Sequence, residues 1–161
     1  MADLERKRAL KTELGARLGA ALGAARAAHD AAIEGATHEQ ARAENDKDTR
    51  GLEQSYLARG QAARIALLEA SVAAVQALEL RRFGADEAVA IGALVEVADE
   101  GGRRAYLVIE HGGGEALASG AVQVVSPAAP LGRALVGKRV GEVAELRLAG
   151  RTRELEILAI E

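Results

Sequence analysis

Three carboxylates crowd one polar stretch of this chain. Glu44, Asp46 and Asp48 follow the run GATHEQAR, with Glu39 a little upstream. Clustered acids recur at functional sites, and they are equally the ordinary content of a solvated turn. Other chemistry has little to build on. The chain has no cysteine, which excludes disulfides and thiolate nucleophiles. His29, His38 and His111 are scattered, without the paired spacing of a zinc site. No Ser/His/Asp arrangement assembles. The glycine-rich run HGGGEALASG at 111–120 is not followed by the Gly-Lys-Ser/Thr of a phosphate-binding loop. No cofactor of its own is expected.

Whatever the acids do depends on the elements that flank them. Leu10, Leu14, Leu18 and Leu22 recur every four residues, followed by Ala25, Ala28, Ala32 and Ile33, an apolar stripe with helical spacing. Asp3 suits an N-cap and Glu5 a first helical turn, so the pattern predicts one helix over 3–34. Gly15, Gly19 and Gly23 also lie four apart, which predicts a groove for close approach of a partner helix. Each costs roughly 1 kcal/mol of helix stability against alanine, so packing has to compensate. A second helical pattern covers 48–82, with Leu52, Tyr56, Ile65, Leu68, Val72, Val75 and Leu78 on its apolar face. From Ile65 to Val75 the steps are those of a heptad. Two such helices joined by polar residues 35–47 predict a protruding antiparallel coiled-coil hairpin, about 50 Å long, with the three acids at its tip. RRFGAD at 81–86 marks a boundary, Gly84 being its flexible point. The division is a coiled-coil domain, 1–82, and a second domain, 83–161.

Beyond residue 87 the apolar period changes to two. Strands are predicted at 88–97, 104–110, 121–125, 143–148 and 152–160. Turns are predicted at Asp99-Glu100-Gly101-Gly102 and Ala149-Gly150-Arg151. The fold class is α+β, with a small, mainly antiparallel sheet carrying one short helix. That helix lies within 126–141, SPAAPLGRALVGKRVG. Pro130 suits its first turn, Leu131, Ala134 and Leu135 share one face, and Gly137 with Lys138 suits its end. The formal net charge of −3 argues against broad binding to a nucleic-acid backbone. No apolar run reaches the roughly 20 residues of a membrane span, and MADLERKRALK reads as a charged helix start, not a signal peptide. A cytoplasmic monomer without membrane contact is expected.

The 126–141 stretch resembles the signature of the C-terminal domain of Gre-type (GreA/GreB) bacterial transcription elongation factors, roughly S-P-L-G-x-A-L-x-G-K-x-x-G-[DE]. Pro130-Leu131-Gly132, Ala134-Leu135, Gly137-Lys138, Gly141 and Glu142 match in register, with Ala129 at the Ser position and Ser126-Pro127 just upstream. The resemblance implies an FKBP-like C-terminal domain behind the coiled coil. It implies docking on the rim of the RNA polymerase secondary channel, with Ser126, Pro130, Leu131, Gly132 and Arg133 as partner-binding candidates. The hairpin would enter the channel and reach the nascent RNA 3′ end indirectly. Glu44, Asp46 and Asp48 would help hold a second Mg²⁺ and the attacking water at the polymerase's own active site, so that backtracked RNA is cut. The chain would then be an accessory factor and not an enzyme. Glu44-Asn45 aligns with the family's tip sequence Asp-x-x-Glu-Asn, but Ala41 stands at its Asp and Asp48 at its aromatic. A factor that occupies the channel without promoting cleavage is the alternative. A coiled-coil adaptor unrelated to polymerase is a more distant one.

Overall fold

The computed structural model describes residues 2–40 and 49–161, and the side chains of 3–38 and 53–161. Glu44, Asp46 and Asp48 lie outside the described residues. The chain forms two compact units, Ala16–Ala73 and the combination of Met1–Gly15 with Ala74–Glu161.

Within Ala16–Ala73 two helices pair, α1 (Ala2–Gln40) and α2 (Thr49–Ala77). They run antiparallel: Arg26 pairs with Glu69 at 2.5 Å, and His29 Nδ1 lies 3.3 Å from Gln61 Oε1. On α2, Gln54, Ala58, Gln61, Ile65, Leu68 and Val72 are half-buried and follow one another in steps of four and three, with Ser71 and Ala74 half-buried beside the last of them. This is the heptad legible at Ile65, carried back toward the start of the helix. A helix keeps its seam in phase, so Tyr56, expected on the apolar face, points outward and is 70 % exposed. On α1, Ala28 and Ile33 are exposed for the same reason, and Ala25, His29, Ala32 and Ala36 take the inner positions. The expected close approach along the glycines does not occur among the described residues. A Cβ added at Gly15, Gly19 or Gly23 would meet nothing within 4 Å, because the packing runs through the leucine stripe instead. Leu18 and Leu22 are buried on that stripe.

The other unit is built on a six-stranded sheet. Its strands are β1 (Leu94–Asp99), β2 (Gly102–Val108), β3 (Ala116–Leu117), β4 (Val122–Val125), β5 (Val143–Leu148) and β6 (Arg151–Ile160), with the short helix α3 (Pro130–Leu135) between β4 and β5. The spatial order is β3-β4-β2-β1-β6-β5. All pairings are antiparallel except β2 with β4, which is parallel. A parallel neighbour requires a crossover, and the glycine-rich stretch supplies it, forming β3 on the way. The apolar run predicted as a strand over 88–97 divides. Gly92 takes φ +86, Ala93 N–H bonds back to Ala90 O at 3.0 Å, and the strand begins only at Leu94.

One face of the sheet carries the main core. Val95, Val97, Tyr106, Val108, Leu146, Leu155 and Ile157 pack there with Leu135 of α3 and Val89, and Phe83 lies partly buried against them. Leu94, Leu107 and Val124 form one register row on the opposite face and are also buried. The first turns of α1 belong to this unit. Arg6 reaches Glu96 at 3.2 Å and Glu161 at 3.3 Å. Glu13 accepts the Ala118 N–H at 2.9 Å, beside two residues in left-handed conformation, Ala118 and Ser119. Lys7 is fully buried. Its ammonium donates to Arg81 O, to Glu161 O at 2.8 Å and to Gly92 O at 3.1 Å, and it sits 4.8 Å from the Phe83 ring centre. Lys11 donates to Gln76 O and Leu78 O at 2.9 and 2.7 Å. These bonds satisfy carbonyls left open where α2 stops, at Ala77 instead of residue 82.

The β1–β2 turn is held by an acid. Asp99 accepts the Gly101 N–H at 2.8 Å and a bond from the Arg153 guanidinium, with Arg104 at 3.9 Å. The Arg153 bond, more than any other contact, keeps the Asp99 carboxyl below its ordinary value of 3.8. A carboxylate with a lowered native pKa contributes stability that is present above its unfolded value and is lost as pH falls through the native one. Asp99→Asn is therefore expected to lower the urea midpoint near neutral pH and to match the wild type in strong acid. A gap of equal size at both pH values would rule out the charge as its source.

Candidate functional site

The 126–141 stretch folds as a turn, a helix and a second turn, and nearly every distinctive residue has a structural reason. β4 ends at Val125. Ser126 Oγ accepts the Ala128 N–H at 3.2 Å, and Ser126 O accepts from Ala129 at 3.0 Å. Ala129 is the extended N-cap, and Pro130 opens the helix, where its missing N–H costs nothing. Gly132 is buried, and a Cβ there would lie 1.9 Å from Ser126 O and 2.9 Å from Pro127 Cα. Only glycine lets α3 cross so close to the chain that feeds it.

The second turn needs left-handed backbone at Gly137 and Gly141, φ +85 and +84. Gly137 N–H donates to Val89 O at 2.9 Å, and Lys138 O accepts from Val89 at 2.8 Å. These bonds stitch the motif to the segment that precedes the sheet. Glu142 then closes the turn, its carboxylate accepting the Arg139 N–H at 2.6 Å. The Gly-Lys-x-x-Gly-Glu spacing is thus the recipe for a tight connection from helix to edge strand.

Residues 84–161 match the C-terminal domain of the GreA/GreB transcription elongation factors. Those residues form a Gre-type C-terminal domain. Over 99 residues the chain is 34 % identical to the transcription elongation factor GreA of Methylococcus capsulatus, a match spanning 60 % of each protein. Among solved structures, the GreA factor homolog 1 of Thermus thermophilus covers 91 % of this chain and 94 % of its own at 25 % identity, with a TM-score of 0.40. The same factor from Thermus aquaticus covers 92 % and 95 % at 26 % identity, with a TM-score of 0.41.

Within the Gre-type domain the candidate residues separate by burial. Pro130 and Arg133 are exposed, Ser126 and Leu131 are half-buried, and Gly132 is buried. Leu131 packs against the core beside the fully buried Leu135. What faces solvent around α3 is Pro130, Arg133 and Val136, followed by Arg139 and Val140 in the next turn. Val136 and Val140 are 41 % and 46 % exposed, and the sequence reading did not single them out. Their signal was available: two apolar residues within a turn whose neighbours are glycine and charge. Lys7 and Glu142 were also missed as anchors. Lys7 reads in sequence as one of a solvated basic trio, Arg6-Lys7-Arg8, and only the fold surrounds it with carbonyls. Among the described residues no helix is long and apolar enough to cross a membrane.

Proposed function

We propose that this chain is a transcription elongation factor that binds RNA polymerase, enters its secondary channel with the α1–α2 hairpin and stimulates cleavage of backtracked RNA. The observation that carries this reading is the GreA/GreB C-terminal domain over 84–161, following two long antiparallel helices. The exposed surface of α3 and its flanking turns, with Ser126, Pro130 and Arg133, docks on the channel rim. Leu131 and Gly132 hold that surface in shape from behind. The hairpin carries Glu44, Asp46 and Asp48 to the polymerase active site. Phosphoryl transfer by two metal ions stabilises both the attacking and the leaving oxygen. Mg²⁺ takes hard oxygen ligands and commonly keeps few protein carboxylates, so acids delivered on a rod complete the site. The chemistry then belongs to the polymerase, in the cytoplasm, and the factor is not itself an enzyme.

One observation favours a second reading, a channel-binding factor that does not promote cleavage. Ala41 stands where the family's tip pattern has an Asp, and Asp48 where it has an aromatic. A backtracked elongation complex with 3′-labelled RNA and Mg²⁺ separates the two. The wild type is expected to release short 3′ fragments, and Glu44→Ala/Asp46→Ala/Asp48→Ala to lose that release by about 100-fold or more, the scale of removing an electrostatic stabiliser of a transition state. If neither protein releases fragments but both displace another channel-binding factor, the second reading stands. If neither binds polymerase, both fail.

A further inference from the structure

We infer that the outer half of the α1–α2 hairpin, residues 25–38 and 53–61, opens as one unit while the inner half, residues 16–22 and 65–73, stays closed. The seam changes composition between the two. In the inner half α1 contributes Leu18 and Leu22, both buried, and α2 contributes Ile65, Leu68 and Val72. In the outer half α1 contributes Ala25, His29, Ala32 and Ala36, and α2 contributes Gln54, Ala58 and Gln61. Alanine removes far less apolar area from water than leucine. Polar side chains at seam positions fix register at a cost in stability, and His29 meets Gln61 across this seam at 3.3 Å. Among the described residues from Gly23 to Arg64, none is buried.

The larger apolar side chains of the outer half do not close it. Ile33 and Leu57 are 50 % and 58 % exposed, and an open groove of about 310 Å³ is lined by them with Ala32, Ala36 and Ala58. An unfilled groove forfeits the dispersion contacts of a packed interface. Gly35 and Gly60 lie inside the two helices, and each weakens its helix against alanine. Neither is required by a close approach, since a Cβ at either would meet nothing within 4 Å. Helical segments this short are marginal in water once their partner leaves. Separation of the seam therefore unwinds both and exposes their amides together. On the function proposed above, this is the part of the hairpin that enters the channel, and it arrives able to reshape against the walls. That consequence rests on the proposed function, whereas the opening itself does not.

Hydrogen exchange of the full chain, read by mass spectrometry without polymerase, tests this separately from the proposed function. After correction for intrinsic rates, amides of 25–38 and 53–61 are expected to exchange about 100-fold faster than those of 16–22 and 65–73. Gly60→Ala should slow exchange about fivefold across both outer segments, α1 included, because one opening exposes both. Gly19→Ala, in the inner half with the same open space around its Cβ, should leave outer exchange unchanged. Equal protection in the two halves overturns the inference. Slowing by Gly60→Ala that stays within α2 means that the helices fray independently, and overturns the single unit. An outer half slowed by Gly19→Ala opens only with the whole hairpin, and overturns the boundary.

Discussion

Gly132→Ala is expected to destabilise the sheet-bearing unit by about 3 kcal/mol. Helix propensity alone argues the reverse, because alanine in a helix is favoured over glycine by roughly 1 kcal/mol. Packing decides the sign. The new methyl would sit 1.9 Å from Ser126 O, with Ser126 C and Pro127 Cα also inside 3 Å. All three are backbone atoms, so no flexible side chain can swing away. Either α3 lifts off the sheet, withdrawing Leu135 from the core, or the turn at Ser126 and Pro127 reshapes. At roughly 2–4 °C per kcal/mol for a chain of this size, the melting temperature should fall by about 10 °C. Gly113→Ala is the control, since its Cβ meets Ser126 at an ordinary 3.6 Å. Equal melting temperatures for Gly132→Ala and wild type would mean that the close crossing is not maintained in solution. On the docking proposed above, with Ser126, Pro130 and Arg133 carried by this unit, the variant should also lose polymerase affinity, whereas Arg133→Ala should lose affinity with its melting curve unchanged.

Lys7→Met should cost a similar amount, about 3 kcal/mol, read as a lowered urea midpoint. Methionine keeps most of the apolar stem, so the comparison isolates the ammonium. Removing a buried charge recovers its desolvation penalty, and replacing a whole buried ion pair with apolar residues is sometimes neutral. Here the partners cannot leave with it. The carbonyls of Arg81 and Gly92 would stay behind without this donor, at about 1–3 kcal/mol each when buried, while Glu161 O keeps the Leu94 N–H at 3.0 Å. The contact with Phe83, whose other neighbour is the Arg81 guanidinium at 4.0 Å, is lost as well. Burial, ahead of the opposing pull of Glu161, lowers the Lys7 pKa from 10.5. Between the native value and 10.5 the unfolded chain holds the proton more firmly, so stability rises with pH through that window. Lys7→Met lacks this rise, and its deficit should widen as pH climbs. A deficit independent of pH would assign the loss to packing alone.

The helical hairpin, the change to period two and the short helix at Pro130 were all legible in the amino-acid order. Each is written in local spacing: the leucine stripe, alternating strands, and proline and glycine at the ends of α3. The Gre signature was legible for the same reason, since Gly137 and Gly141 supply left-handed backbone at their own positions and Glu142 accepts the N–H of Arg139 three residues back. Misreadings arose where an apolar side chain was credited to a face that the helix phase does not give it, as with Tyr56 and Ile33. They also arose where a run of strand-formers was interrupted by one left-handed glycine, Gly92.

Tertiary structure alone decided the rest. That β4 lies parallel to β2, that Lys7 is buried while Arg8 beside it is exposed, and that Gly132 is required by the carbonyl of Ser126 are facts about chain segments brought together from a distance. A periodic pattern reports which face an element turns inward. It does not report which backbone waits there, because the desolvation of an ammonium or the clash of a single methyl exists only once both partners are in place.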